Sequence, residues 1–160
     1  MSSMKSLADR FAEIYLSGRW ICGTNVAEVI SSVSYVQAVK RLHDLNSIAL
    51  LTFHLSYYLG GVLKVLEGGN LDISDSKSFD MSEISTDIKW KLLCDQLTDR
   101  ANQLHRKIEL MNQEELLGDF SEEKYGSNLR NIEGLIEHGY YHLGQIVIIR
   151  KMILQQEEIS

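Results

Sequence analysis

Along this chain apolar residues recur at intervals of three and four rather than alternating, which is the period of a helix face and not of a strand. Leu7, Phe11, Ile14 and Tyr15 carry that spacing through a first helix over about residues 7–17. Gly18 and Gly23 interrupt it, after which Asn25 reads as the cap of a short turn of helix over 26–33. Ser34 reads as the cap of another short turn through Gln37 and Val39. A second long helix covers about 44–67 and is stopped by the pair Gly68 and Gly69. A polar loop follows over 70–80, and the spacing of Asp80 and Glu83 is that of a capping box. It predicts a third helix running to about residue 112, with Trp90, Leu93, Leu97, Leu104 and Ile108 as its apolar stripe. After a charged connection at 121–125, a fourth helix extends over about 127–155. Long helices joined by connections of this length predict an all-α domain, a four-helix bundle, with residues 1–160 as one unit.

Composition supports this picture and narrows it. Proline, the strongest helix breaker, is absent, and 160 residues suffice for one buried core. A formal net charge of -6 without a Lys/Arg cluster argues against a nucleic-acid surface. No apolar run is read as approaching the roughly 20 residues of a membrane span, so no membrane partner is expected. Lys5, Asp9, Arg10 and Glu13 fall where a signal peptide needs an uninterrupted apolar core, which predicts a cytoplasmic protein. Cys22 and Cys94 share no short motif and read as free thiols.

The candidate chemistry lies in three histidines. HGYYHLGQ, residues 138–145, places His138 and His142 one helical turn apart. On the wheel Leu135, Gly139, Ile146 and Ile153 form the core-facing stripe; His142 falls inside it, His138 at its edge and Gln145 just beyond. Two imidazoles so spaced can bind one ion at about 2.0–2.1 Å each. His54 is set among Leu50, Leu51, Gly61 and Val65 on the second helix, with Tyr58 one turn on. A lone histidine on such a face is more often a core residue with a local hydrogen bond, and an H-x3-H pair occurs on many solvated helices. Two helices that each aim imidazole inward make a stronger constellation. Three neutral nitrogens without a fourth protein ligand leave the open position of a catalytic metal site.

The neighbours are weighed in the same way. Glu137 points nearly opposite the core stripe, so a surface salt bridge suits it better than a role as base. Gln145 could orient a ligand histidine, and Tyr58 could bond a substrate or serve as a core tyrosine. Gly61 and Gly139 leave room either for a ligand or for close helix packing. His43 and His105 are read as facing water. HLSYYLGGV (54–62) and HGYYHLGQI (138–146) share His, Leu and Gly at the same offsets, a faint internal echo.

GLIEHGYYHLGQIVIIRK resembles the last-helix motif of the DinB-like superfamily, in which H-x3-H is followed by Gly-Gln and an aliphatic run ending in Arg or Lys. GRW near the first helix, LNSIALLTFHLSYYLGGVLKVLEGG with its single histidine, and Trp90 extend that resemblance over nearly the whole chain. It implies a four-helix bundle binding a divalent ion (nickel, zinc or iron) through His54, His138 and His142, in a protein that is commonly a homodimer. The superfamily includes transferases and isomerases that use bacillithiol or mycothiol, proteins described as metal-dependent hydrolases, and members with no assigned activity. It implies no DNA binding. The expectations are therefore a small-molecule substrate, and a low-molecular-weight thiol as cofactor if the reaction is a transfer. Thiol S-transfer and hydrolysis both stay open, as does a non-catalytic metal-binding or ligand-sensing dimer in which the ion is a structural staple. No catalytic acid or base is selected by the sequence.

Overall fold

The computed structural model describes residues 3–159, with side chains from residue 5. Among the described residues every regular element is helical, and the sole strand-like feature is an isolated antiparallel bridge between Asp119 and Ser127. Helix α1 (Ser3–Ala12) widens into a π-helical turn, Glu13–Ser17. Short helices α2 (Val26–Ser31) and α3 (Tyr35–Val39) lead to α4 (Ile48–Leu66), and α5 (Asp87–Leu110), α6 (Gln113–Leu117) and α7 (Asn128–Ile159) complete the chain. α4 packs along both α5 and α7, and α1 packs against the same two helices, so these four elements enclose one core.

Local chemistry starts and stops these helices. Asn25 accepts from the Glu28 backbone and Ser34 from the Gln37 backbone, the caps read from the sequence, and Gln37 returns a bond to Ser34 to complete a capping box. α4 ends where Gly68 adopts φ 89°, a conformation only glycine enters without strain, and the Gly69 amide closes onto the Lys64 carbonyl. On α5, Trp90, Leu93, Leu97, Leu104 and Ile108 are all buried, with the Trp90 indole donating to the Val33 carbonyl at 2.8 Å.

Several boundaries differ from the expected ones. α4 starts at Ile48 rather than near Asp44, because His43 sits at φ 51°, Leu45 closes a turn onto Leu42, and Ser47 supplies the cap. α5 starts at Asp87 with Thr86 as its cap, so Asp80 and Glu83 form no capping box there. The chain before it makes a 3-10 turn, Asp75–Lys77, and is tied down elsewhere: Asp75 accepts from Tyr58 and Ser78 faces His54. α6, with a capping box of Asn112 and Glu115, was not foreseen, and α7 runs on to Ile159. α4 also meets the length and hydropathy of a membrane span, contrary to the reading of the sequence; 61% of that window is buried inside the fold, as in a core helix.

One close approach sets the height of α7. The buried Tyr15 hydroxyl donates to the Leu135 carbonyl at 2.7 Å, and a Cβ at Gly139 would meet Ile14 and Tyr15 atoms at 2.9 Å. Gly139 thus serves close helix packing. Gly144 is exposed, with nothing within 4 Å of its missing Cβ. Gly139→Ala should therefore destabilise the fold by about 1–2 kcal/mol, overpacking outweighing the gain in helix propensity. Gly144→Ala should stabilise it by up to about 1 kcal/mol. Urea unfolding of the two variants beside the parent checks both signs.

Candidate metal centre

Two helices bring the three histidines together. His54 projects from the middle of α4, and His138 and His142 from successive turns of α7, across the seam where α4 and α7 pack. Among the described residues they form a group whose ligand nitrogens all lie within 4.8 Å of one another. His54 Nε2 stands 3.0 Å from His138 Nε2, and His142 Nε2 stands 2.9 Å from the same atom. His54 and His142 are each only 6% exposed, and His138 is half-buried.

The outer nitrogens determine what the inner ones can do. His54 Nδ1 faces the Ser78 carbonyl at 3.3 Å, a group that can only accept, so Nδ1 carries the proton. His142 Nδ1 donates to Gln145 Oε1 at 2.6 Å. Each ring then presents a bare Nε2 lone pair toward His138. One proton on His138 Nε2 could serve only one of those two lone pairs in full. Extra protons are not at hand, because burial lowers the pKa of all three rings. His138 falls to about 4, burial contributing most and the neighbouring His142 and His54 adding to it. Burial is also the main cause for His54, followed by His142, and the main cause for His142.

A divalent cation would satisfy all three lone pairs at once. Two nitrogens 3.0 Å apart and each about 2.1 Å from a common ion would subtend roughly a right angle, an angle divalent ions accept. The donor set of three neutral imidazoles, two with their Nδ1–H held by oxygen, fits such an ion.

The surroundings divide into an enclosed side and an open one. Phe79 stacks on the His54 ring at 4.2 Å between centroids. Tyr58 packs edge-on to His54 and His138, and its hydroxyl donates to Asp75 Oδ1 at 2.5 Å. Burial and that hydrogen bond hold the phenol near pKa 12. His138, Tyr58 and Asp75 open onto a cleft of about 600 Å³.

Other candidates fall out as follows. Glu137 is exposed and pairs with Arg130 at 3.1 Å, away from the rings. His43 is exposed. His105, expected to face water, is half-buried, with its Nδ1 3.7 Å from Glu109. Leu51 and Val65 of the face around His54 are buried, whereas Leu50 and Gly61 are half-buried. The missing Cβ of Gly61 is covered by Ile73. Ser78, Phe79 and Asp75 were missed by sequence reasoning; the one available signal was Phe79, the single aromatic of that loop. No family model, curated protein or solved structure matches this chain.

Neither cysteine joins the cluster. Cys22 is exposed; burial, with Asp95 second, pushes the Cys94 thiol up to about 12, so it stays protonated at pH 8. A chromogenic disulfide reagent at pH 8 should therefore label about one thiol per native chain, Cys22, and both after denaturation. Fast labelling of the native Cys22→Ser variant would contradict this.

Proposed function

We propose that this chain is a DinB-like four-helix bundle that binds one divalent ion, nickel, zinc or iron, through His54, His138 and His142. On this reading it is a metal-dependent enzyme acting on a small molecule, by thiol S-transfer or by hydrolysis. The observation that supports it is the convergence of the three Nε2 atoms while Ser78 and Gln145 occupy the Nδ1–H groups of His54 and His142. The order of the three histidines and the Gly-Gln that follows the second pair member belong to the family resemblance. With it come the expectations of a cytoplasmic homodimer and, for transfer, of a low-molecular-weight thiol.

A divalent ion bound there would act as a Lewis acid and make a thiol or water at its open position more acidic. The chain's own residues arrange the rest. Ser78 and Gln145 fix the tautomers and ring orientations of His54 and His142. Phe79 covers one side of His54 against water. Tyr58, a neutral phenol whose proton is committed to Asp75, offers a ligand in the cleft an acceptor oxygen.

A second reading has an observation of its own. Among the described residues no carboxylate belongs to the group of ligand nitrogens, and the nearby Asp75 already accepts the Tyr58 hydroxyl. That favours a non-catalytic dimer in which the ion staples α4 to α7.

Elemental analysis of untagged, chelator-free protein should find about one transition metal per chain, lost in His54→Ala and in His142→Ala. Gln145→Leu should keep the site but weaken metal affinity by about 10–100-fold, because His142 loses its acceptor. No metal after reconstitution with nickel, zinc or iron would overturn the proposal. In His138→Ala, loss of metal with a large fall in Tm supports the staple, and loss with little change supports the open reactive site.

A further inference from the structure

The cleft beside His138 is built from two kinds of surface. Val62 of α4, Leu71 and Ile73 of the following loop, Phe120, and Leu135 of α7 make an apolar wall. Lys124, Arg130 and Asn131 bring polar and cationic groups, and Asp75 is the only acid in the lining. The Asp75 carboxylate already accepts the Tyr58 hydroxyl, which leaves two cations facing one engaged anion. A volume of about 600 Å³ lies within the range of about 300–1,000 Å³ typical of small-molecule sites.

The spacing along α7 gives the cleft a direction. Arg130, Gly134 and His138 follow one another at four-residue steps, so they share a face, and Arg130 and His138 are about 12 Å apart along the axis. Between them Gly134 lines the cleft, and nothing lies within 4 Å of its missing Cβ. The floor is thereby kept open between a cationic end and an imidazole end. Asn131 donates to the Tyr125 and Ser127 carbonyls at 2.8 and 2.9 Å, which ties the turn carrying Lys124 to α7.

Both cations have exposed partners, Glu137 for Arg130 and Glu122 for Lys124. Both pairs are solvent-exposed and screened by salt, and neither glutamate lines the cleft. Glu137 now holds the Arg130 fork through contacts of 3.1–3.3 Å, so a ligand carboxylate would exchange with it for the same bidentate pairing while its apolar part is withdrawn from water.

We propose that this cleft binds a small amphipathic carboxylate, with its apolar body on Val62, Leu71, Ile73 and Phe120 and its carboxylate at Arg130 and Lys124. The far end of the molecule then faces His138. Only that last relation, presentation to a metal, rests on the proposed function; the pocket itself does not need the ion.

The test uses 4-phenylbutyrate, its neutral amide and the matching amine as probes, titrated into the full chain with and without metal and followed by calorimetry. The carboxylate should bind at least about tenfold more tightly than the amide, a difference of about 1.4 kcal/mol, and the amine should not bind. Arg130→Gln and Lys124→Gln should each weaken the carboxylate several-fold and leave the amide unchanged. Gly134→Leu should abolish binding of both while helix content and metal content stay at the parent's level. Equal affinity for carboxylate and amide, or undiminished binding to Gly134→Leu, would overturn the proposal. So would carboxylate binding that requires the metal but ignores Arg130, since that is coordination to the ion. Arg130-dependent binding to a protein that takes up no metal would uphold the cleft and sink the metal reading. Metal uptake without carboxylate preference would do the reverse.

Discussion

Burying three neutral imidazoles in one helix seam is the constraint around which the rest of this molecule is arranged. Each ring has an N–H that must not be left without an acceptor, because an unsatisfied buried donor costs about 1–3 kcal/mol. Two of those acceptors are in place: the Ser78 carbonyl for His54 and Gln145 for His142. Both come from outside the seam, one from the loop after α4 and one from the next turn of α7. Meeting them leaves lone pairs converging on His138, an arrangement that protein hydrogen bonds cannot fully satisfy. The seam must also be held at the right height. The Tyr15 hydroxyl on the Leu135 carbonyl, about one turn before His138, and the absence of a Cβ at Gly139, between the paired histidines, let the N-terminal segment grip α7 at their level.

The helical part of this design was legible because helix periodicity is local. Trp90 through Ile108 repeat at three and four residues, and the structure buries each of them. His138 and His142 could be placed on one face from spacing alone. Caps were legible where nothing distant competed, as at Asn25 and Ser34. Asp80 and Glu83 had the same local chemistry and yet do not start a helix. The helix is capped instead at Thr86, which accepts from the Lys89 backbone, while the loop before it is tied to α4 through Asp75 and Ser78. The Asn112–Glu115 box was overlooked because α6 is too short to show a period.

The lining of the site was not legible for a related reason. Ser78, Phe79 and Asp75 belong to a polar loop, where no periodicity reports which residue turns inward. Ser78 meets His54 through a backbone carbonyl, which every residue possesses, so that contact leaves no signal in the sequence. Asp75 and Tyr58 are 17 positions apart and meet only because the chain doubles back over α4. The cleft has the same character. Its apolar wall comes from α4, two loops and α7, whereas the Arg130, Gly134, His138 row lies on a single element.

That row bears on whether the centre is a staple or an open site. A staple needs ligands and stiff helices, and glycine inside a helix works against stiffness at about 1 kcal/mol relative to alanine. Gly139 has a packing reason, since Tyr15 and Ile14 occupy the space of its Cβ. Gly144 faces solvent, where the loss is merely local. Gly134 differs from both: it is half-buried, it borders the cleft one turn before His138, and no protein atom fills the space it leaves. What Gly134 supplies is volume next to the histidines. A staple has no use for that volume, whereas a centre that must admit a molecule between Arg130 and His138 requires it.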